Sequence, residues 1–189
     1  MSRVLVPLAE GFEEIEAVTV IDLLRRAGIE VIAAGLAPGA VTGSHGITIT
    51  PDNELDEVLG QSFDMVVLPG GMPGATHLAA DARLLALLRR QVEGGGLTAA
   101  ICAAPAVLAK AGLLAGKRAT SFPGFLTEIS APGTLVLDDA VVEDDKMITS
   151  RGPGTAMDFA LALIERLRGM PARRAVEAPL QRPRLPGAS

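Results

Sequence analysis

The single cysteine of this chain, Cys102, stands where an apolar segment (97–101) gives way to a run of small, helix-forming residues (103–112). A residue between a buried strand and the next helix stands on a tight turn with its side chain raised, as the nucleophile of many hydrolases does. The helix N-terminus would favour a thiolate. We therefore expect a reactive Cys102 with a pKa below that of a free thiol. The alternative is a small apolar side chain that fills the core.

A nucleophile of this kind needs donors for the oxyanion that it creates. The N–H group directly after the cysteine, that of Ala103, is one candidate, and the glycine-rich turn PGGMPG (69–74) offers another at Gly71. The turn matches neither a phosphate-binding loop nor a dinucleotide fingerprint, so we expect no nucleotide cofactor.

A carboxyl partner for the thiol is available in the segment GFEEIE (11–16), which opens an amphipathic helix. Glu13 falls near the centre of the apolar stripe, Glu16 at its edge, and Glu14 points sideways. A buried carboxyl group must be hydrogen-bonded or protonated, and a protonated one could donate to a thiolate. Periodicity does not choose between Glu13 and Glu16, and a solvated first-turn cluster is the alternative.

Histidine chemistry is sparse in this chain. His45 and His77 are the two histidines, and neither lies in a catalytic motif, so loop or surface positions are expected for both. The sequence has no group of His, Cys and Asp with metal-ligand spacing. We expect no metal ion and no cofactor.

Apolar segments alternate with helical patterns along the chain, which predicts an α/β fold with a mostly parallel sheet covered on both faces. Strands are predicted over 3–8, 29–36, 46–50, 63–69, 97–101, 118–122, 134–139 and 141–149 (the last segments including a hairpin), and helices over 13–28, 81–93, 103–112 and 154–169. Ligands bind beyond the carboxyl ends of such strands. Four segments converge there: the loop before the first helix, the 69–74 turn, Cys102 and the turn SRGPGT (150–155).

The length of 189 residues suits one domain, which we place at 1–169. Residues 170–189 hold four prolines and four arginines and are predicted to be a flexible or loosely docked tail. One cysteine fits a reducing compartment, and the sequence shows neither a signal-peptide pattern nor an apolar run of the ~18 residues that span a bilayer. A net charge of −5 disfavours nucleic-acid binding. We expect a cytoplasmic protein without membrane or nucleic-acid partners.

Four segments together resemble the ThiJ/PfpI superfamily, and within it the branch of Parkinson disease protein 7 (protein deglycase), particularly its bacterial members. They are GFEEIEAVTVIDLLRRAGIEV, FDMVVLPGGMPGA, AAICAAPAVLA and TSRGPGTAMDFALALIE. The resemblance runs in order from about residue 3 to residue 168, and only the tail lies outside it.

The resemblance implies a flavodoxin-like, doubly wound fold and a homodimer. It implies that Cys102 is the reactive, oxidisable nucleophile and that Glu16 is the carboxyl hydrogen-bonded to its sulfur. Gly70, Gly71 and Ala103 match the positions around the sulfur and the oxyanion. The implied activity is that of a glyoxalase without glutathione, or of a deglycase acting on early glyoxal adducts. The alternative implied function is a redox-dependent chaperone in which the cysteine becomes a sulfenic or sulfinic acid.

Two departures from the family pattern qualify these implications. The protease-like branch has a histidine immediately after the cysteine, where this chain has Ala103, so an amidase or peptidase is the weakest interpretation. Some deglycases have a histidine at the position matching Phe122, where this chain has no base. A Cys–His relay is therefore not expected, and we expect a slow enzyme. His45 occupies a position where relatives often have an arginine near the cysteine, and it is a candidate to compensate.

Overall fold

A computed structural model describes residues 1–127 and 130–183 of the chain. The strands are β1 (Arg3–Leu8), β2 (Glu30–Gly35), β3 (Val41–Thr42), β4 (Thr48–Ile49), β5 (Asn53–Glu54), β6 (Met65–Leu68), β7 (Leu97–Ile101), β8 (Arg118–Ala119), β9 (Leu135–Val136), β10 (Val141–Asp144) and β11 (Met147–Ser150). The α-helices are α1 (Glu14–Arg26), α2 (Leu55–Val58), α3 (Gly74–Ala80), α4 (Ala82–Glu93), α5 (Pro105–Lys110), α6 (Ala156–Arg168) and α7 (Met170–Glu177).

Seven strands form the central sheet in the order β10-β11-β7-β6-β1-β2-β5. All neighbours pair in parallel except β10, which forms an antiparallel hairpin with β11. The chain crosses from β1 to β2 on one side and later builds β6 and β7 on the other. The carboxyl ends of β1 and β6 therefore flank a topological switch point, where open α/β sheets bind their ligands.

Apolar side chains cover both faces of this sheet, as a parallel sheet requires. Along β1, Val4, Val6 and Leu8 belong to one core cluster, which packs against α1 and α6, and Leu5 points into the other. That second cluster includes buried residues of α2 to α5. The predicted α/β class, with helices on both faces of a mostly parallel sheet, is confirmed.

Several short segments differ from the sequence prediction. The strand predicted over 46–50 shrinks to β4, which pairs with β3 as a separate antiparallel ribbon, and the segments 118–122 and 134–139 contribute only the small parallel pair of β8 and β9. The helices α2 and α3 were not predicted, because each is too short to show a repeated apolar stripe. Within the described ranges, no helix has both the length and the apolar character needed to cross a membrane.

The segment after residue 169 is docked through residue 183, so the expectation of a flexible or loosely docked tail is wrong for this part. Val176 of α7 is buried in the core cluster that contains α6, and Arg173 pairs with Glu165 across the two helices at 2.6 Å. Arg182 pairs with Asp158 of α6 at 2.6 Å. Composition alone did not reveal the apolar side chain that anchors this helix. Residues 184–189 lie outside the described ranges, and the division of the chain at residue 169 stays a prediction.

Truncation after residue 170 should therefore destabilise the protein. The loss should be at least the ~1.5–3 kcal/mol that burial of one valine side chain contributes. Thermal unfolding of the truncated chain measures it, and Val176→Ala should reproduce part of the effect. Arg174→Ala, on the exposed side of the same helix, serves as the control. An unchanged melting temperature on truncation would show that α7 contributes nothing to stability.

Candidate active site

Cys102 lies on a tight turn between β7 and α5, as the sequence predicts. Its φ of +64° is in the left-handed region that side chains other than glycine rarely adopt. Backbone hydrogen bonds hold it on both sides, because its N–H donates to the carbonyl of Ser150 (3.0 Å) and its carbonyl accepts from the N–H of Phe122 (2.9 Å). The thiol is free and largely buried, with 9% of the residue exposed. The surrounding strands thus enforce a strained conformation that orients this side chain.

The glycine-rich turn after β6 lies directly against Cys102. A Cβ atom added to Gly70 would be 2.7 Å from the Cβ of Cys102 and 2.8 Å from Oε2 of Glu16. Gly71 has a φ of +89°, and a side chain there would overlap the backbone of Phe12 and Glu13. These two positions need glycine because the turn, the thiol and the start of α1 approach each other too closely for any side chain.

Glu16 is the carboxyl group beside the thiol, as the family resemblance implies, and Glu13 has a different role. Glu16 is completely buried, and its Oε2 accepts a hydrogen bond from the N–H of Gly70 at 2.8 Å. Among the described residues, no nitrogen or oxygen atom donates to its Oε1, and the carboxyl group's other partner is the Cys102 thiol. Glu13 caps α1, since its side chain accepts from the N–H of Glu16 at 2.8 Å. The first turn of α1 therefore uses one glutamate to fix the helix and the other to face the sulfur.

The electrostatics of the thiol and the carboxyl group are coupled. Burial raises the pKa of Glu16 to about 7, against the hydrogen bonds from Gly70 and Cys102, which lower it. Burial, together with the negative charge of Glu16 and the hydrogen bond between the two side chains, raises the pKa of the Cys102 thiol to about 12. The amides of Gly71 and Ala103 donate to the sulfur and act in the opposite direction.

The expected pKa of Cys102 below that of a free thiol is therefore wrong while Glu16 is ionised. The prediction included the amides at the helix N-terminus, which lower the pKa of the thiol. It omitted the burial of the thiol and the negative charge of Glu16, which raise this pKa. Between pH values of about 7 and 12, the pair retains one proton that belongs to both groups. When this proton is on Glu16, the negative charge that opposes the thiolate is gone, and the amides of Gly71 and Ala103 stabilise the sulfur.

His45 and Glu14 form a neighbouring cluster at the start of α1. Glu14 is buried, and burial raises its pKa, but hydrogen bonds from its own amide, the His45 ring and the amides of His45 and Ile47 outweigh this and lower the pKa to about 2. The Nδ1 atom of His45 lies 3.1 Å from Glu14 and 4.0 Å from Glu13, and 73% of the His45 side chain is exposed. The cluster anchors the loop after β3. A role of His45 at the thiol stays a prediction.

The ligand atoms of Glu13, Glu14 and His45 lie within 4.8 Å of one another, a spacing that could hold a metal ion. The sequence did not show this grouping, because the loop that carries His45 is distant in the chain from the two glutamates. The carboxylates already have protein partners: Glu14 accepts from the loop, and Glu13 caps α1. Their arrangement is thus accounted for without a metal ion.

The raised pKa of Glu16 predicts a specific dependence of stability on pH. Its pKa is about 7 in the folded protein and near 4.5 in the unfolded chain, so the folded state holds this proton more tightly. The contribution of Glu16 to the free energy of unfolding is largest below pH 4.5, and it falls by about 3 kcal/mol as the pH rises to 7. Chemical denaturation at several pH values should show this loss in the wild type and not in Glu16→Gln. Parallel pH profiles for the two proteins would contradict it.

Comparison with known proteins gives consistent matches over the sheet and the thiol site. The DJ-1/PfpI family model matches residues 2–166. Protein dj-1beta of Drosophila melanogaster is 49% identical over 166 residues, which are 87% of this chain and 89% of that protein. Its crystal structure has a TM-score of 0.92 to this chain, at 45% identity, and the match covers 97% of this chain and 100% of that one.

Two further relatives bear on chemistry. The glutathione-independent glyoxalase DJR-1.2 of Caenorhabditis elegans is 42% identical over 160 residues, 85% of each chain. A structure of oxidised DJ-1 from Toxoplasma gondii has a TM-score of 0.91 at 40% identity, and the match covers 95% of this chain and 98% of that one.

Proposed function

Because the chain belongs to the DJ-1/PfpI family, we propose that it is a cysteine-dependent enzyme that acts on small α-oxoaldehydes or their early adducts on protein or nucleotide. The observation that carries this proposal is the pair of Cys102 and Glu16, whose side chains both lie against Gly70, with the carboxyl group completely buried. Burial raises the pKa of this carboxyl group to about 7. Membership of the superfamily confirms the resemblance seen in the sequence. The closer likeness to bacterial members stays a prediction.

The first step uses the tautomer of the pair in which Glu16 holds the shared proton. The Cys102 thiolate attacks the aldehyde carbon, a C–S bond forms, and the π electrons of the carbonyl group move to oxygen. In this proposal the amides of Gly71 and Ala103, which donate to the sulfur, also donate to the developing oxyanion. Glu16 then gives its proton to that oxygen, and the product is a neutral hemithioacetal.

The second step moves a proton between the two substrate carbons. The Glu16 carboxylate removes the proton from the former aldehyde carbon, and the electron pair forms a C=C bond while the ketone π electrons move to oxygen, which gives an enediolate. Glu16 then returns its proton to the former ketone carbon, and the hydroxyl proton of the former aldehyde carbon moves to the former ketone oxygen. The aldehyde carbon is oxidised while the ketone carbon is reduced, so no external oxidant or cofactor is needed. The resulting thioester is hydrolysed by water, which releases a 2-hydroxy acid and restores the thiol. With an early adduct, the Cys102 thiolate would displace the amine or thiol of the adduct, which leaves with a proton from Glu16, and the same hemithioacetal would result.

The test is the balance between methylglyoxal consumed and lactate formed by the wild type and by Cys102→Ser. The proposal expects equal amounts with the wild type and no lactate above background with the variant. Loss of methylglyoxal without lactate would contradict the proposal, because aldehyde can be trapped by surface amines and guanidines. Addition of a pre-formed glycated peptide after all free aldehyde has been removed then distinguishes a deglycase from a glyoxalase.

A second candidate function is that of a redox sensor with chaperone activity. A sulfenic acid would carry an O–H group, for which the buried Oε1 of Glu16, without a nitrogen or oxygen donor among the described residues, is an acceptor. A sulfinate would instead accept a hydrogen bond from Glu16 in its protonated form. One relative's structure is described as oxidised. Peroxide titration followed by mass spectrometry should give a stable sulfinic acid at Cys102 if this function holds. Rapid progression to the sulfonic acid would contradict protection by Glu16.

We also propose that the chain forms a homodimer in the cytoplasm. Ile15 and Val18 on α1, Ile47 after β3 and Met157 on α6 are large apolar side chains that are 45–58% exposed. Exposed apolar groups of this size favour a protein–protein contact. Sedimentation analysis of the purified protein should show a dimer that Val18→Glu dissociates, and a monomeric wild type would contradict this proposal.

A further inference from the structure

Phe122 is unusual among the aromatic residues of this chain. Of the five phenylalanines, it alone has an exposed side chain, with 46% of the residue accessible to solvent. The chain has no tyrosine or tryptophan, so this ring is the largest aromatic surface that the protein offers to a ligand. Exposure of a phenyl group to water is unfavourable, and a ligand that covers the ring would gain from removing this apolar surface from water.

The backbone places Phe122 beside the nucleophile. The N–H of Phe122 donates to the carbonyl of Cys102 at 2.9 Å, so the two residues are fixed next to each other. On its other side the ring reaches the turn after β11, where a Cβ atom added to Gly152 would be 3.4 Å from Cδ2 of Phe122. Since Ser150 at the end of β11 accepts the N–H of Cys102, both flanks of the ring belong to segments that hold the nucleophile.

A second aromatic ring supports Phe122 from within. The partly buried Phe125 packs edge-to-face against it, with ring centroids 6.2 Å apart and an interplanar angle of 75°. This contact restrains the exposed ring and leaves part of its surface open to solvent. The result is a partly exposed apolar ring, supported by Phe125, on a residue that is hydrogen-bonded to the nucleophile. Such a ring is suited to an aromatic group in an edge-to-face or offset-stacked arrangement.

We infer that Phe122 is a specificity-determining residue and that the enzyme prefers α-oxoaldehydes with an aromatic or bulky apolar substituent on the ketone carbon. This inference rests on the proposed function, because it assigns the substrate class of the same site. Phenylglyoxal, which takes up water to give mandelate, is the matching substrate. Methylglyoxal, which gives lactate, has only a methyl group that could pack against the Phe122 ring.

The experiment measures kcat/KM for phenylglyoxal from mandelate formation and kcat/KM for methylglyoxal from lactate formation. The proteins compared are the wild type, Phe122→Ala, Phe122→Leu and Leu135→Ala. Phe122→Ala retains the backbone hydrogen bond to Cys102, so the nucleophile should stay in place. The phenylglyoxal-to-methylglyoxal ratio should fall about 3- to 10-fold, the effect of one aromatic pair. Phe122→Leu should lose less, and Leu135→Ala, an exposed apolar residue on β9, should leave the ratio unchanged.

The outcomes separate this inference from the proposed function. Turnover of both substrates with an unchanged ratio in Phe122→Ala overturns the inference and leaves the function standing. An equal loss for both substrates, together with a changed sedimentation coefficient, would make Phe122 an interface residue and also overturn it. Absence of mandelate and lactate above the Cys102→Ser background would overturn the proposed function, and the inference would fall with it.

Discussion

Glu16→Gln should lower kcat/KM for methylglyoxal by about 10²–10⁴-fold, the usual contribution of a general acid–base group. Gln keeps the size of the side chain and an oxygen that accepts from the N–H of Gly70. It cannot receive the proton that the reaction moves between oxygen and the two carbons. The loss should therefore appear mainly in kcat, and it should persist across the pH range because the titrating group has been removed. Lactate formation under saturating methylglyoxal measures it.

Glu13→Gln is the matched control for this substitution. Glu13 lies in the same helical turn and is also buried, but its side chain caps α1 by accepting the N–H of Glu16. A glutamine oxygen can still accept that hydrogen bond, so kcat/KM should change by less than about tenfold. Equal losses in the two variants would show that the carboxyl group beside the sulfur has no special role in proton transfer.

Gly70→Ala should reduce kcat/KM by at least about 10²-fold, because displacement of catalytic groups by about 1 Å has an effect of this size. A methyl group at this position would be 2.7 Å from the Cβ of Cys102 and 2.9 Å from the carbonyl oxygen of Ile101. Neither atom can move freely, since Ile101 ends the buried strand β7 and Cys102 lies on the strained turn that follows it. The carboxyl group of Glu16 would also lose its hydrogen-bond geometry to the Gly70 amide. Steady-state kinetics of the folded variant, verified by circular dichroism, tests this prediction.

Gly60→Ala provides the control for a glycine substitution elsewhere. A Cβ atom at Gly60 would meet no atom within 4 Å, so activity and stability should stay close to the wild type. If Gly70→Ala retained wild-type kcat/KM, the close approach of the turn to Cys102 would have no influence on catalysis. The geometry of the site would then be more tolerant than the packing around Gly70 indicates.

The main sheet could be predicted because its strands are buried on both faces. A parallel strand such as β1 needs apolar residues at nearly every position, and this leaves a continuous signal in the sequence. The short strands β8 and β9 pair outside the sheet through two residues each, which is too few to show any periodicity. The helix α7 was missed because it lies in a segment, 170–189, that is rich in proline and arginine, although one buried residue, Val176, docks it.

The position of Cys102 could be predicted from local sequence, because a tight turn between a strand and a helix depends on neighbours in the chain. The choice of Glu16 over Glu13 could not, since both lie on the inner side of α1 and only the approach of Gly70 distinguishes them. The pKa of the thiol could not be predicted either, because burial and the charge of Glu16 are tertiary effects. The same holds for Glu14, whose hydrogen-bond partners in the His45 loop are about 30 residues away along the chain.

The central claim is that Cys102 forms a covalent bond to the aldehyde carbon during turnover. The most direct measurement is a rapid acid quench of a single turnover with methylglyoxal, followed by mass spectrometry of the peptide that contains Cys102. We predict an adduct with the mass of methylglyoxal on Cys102 that decays at the rate at which lactate appears, and that decays more slowly in Glu16→Gln. Formation of lactate without any adduct on Cys102, or an adduct that never decays, would contradict the account.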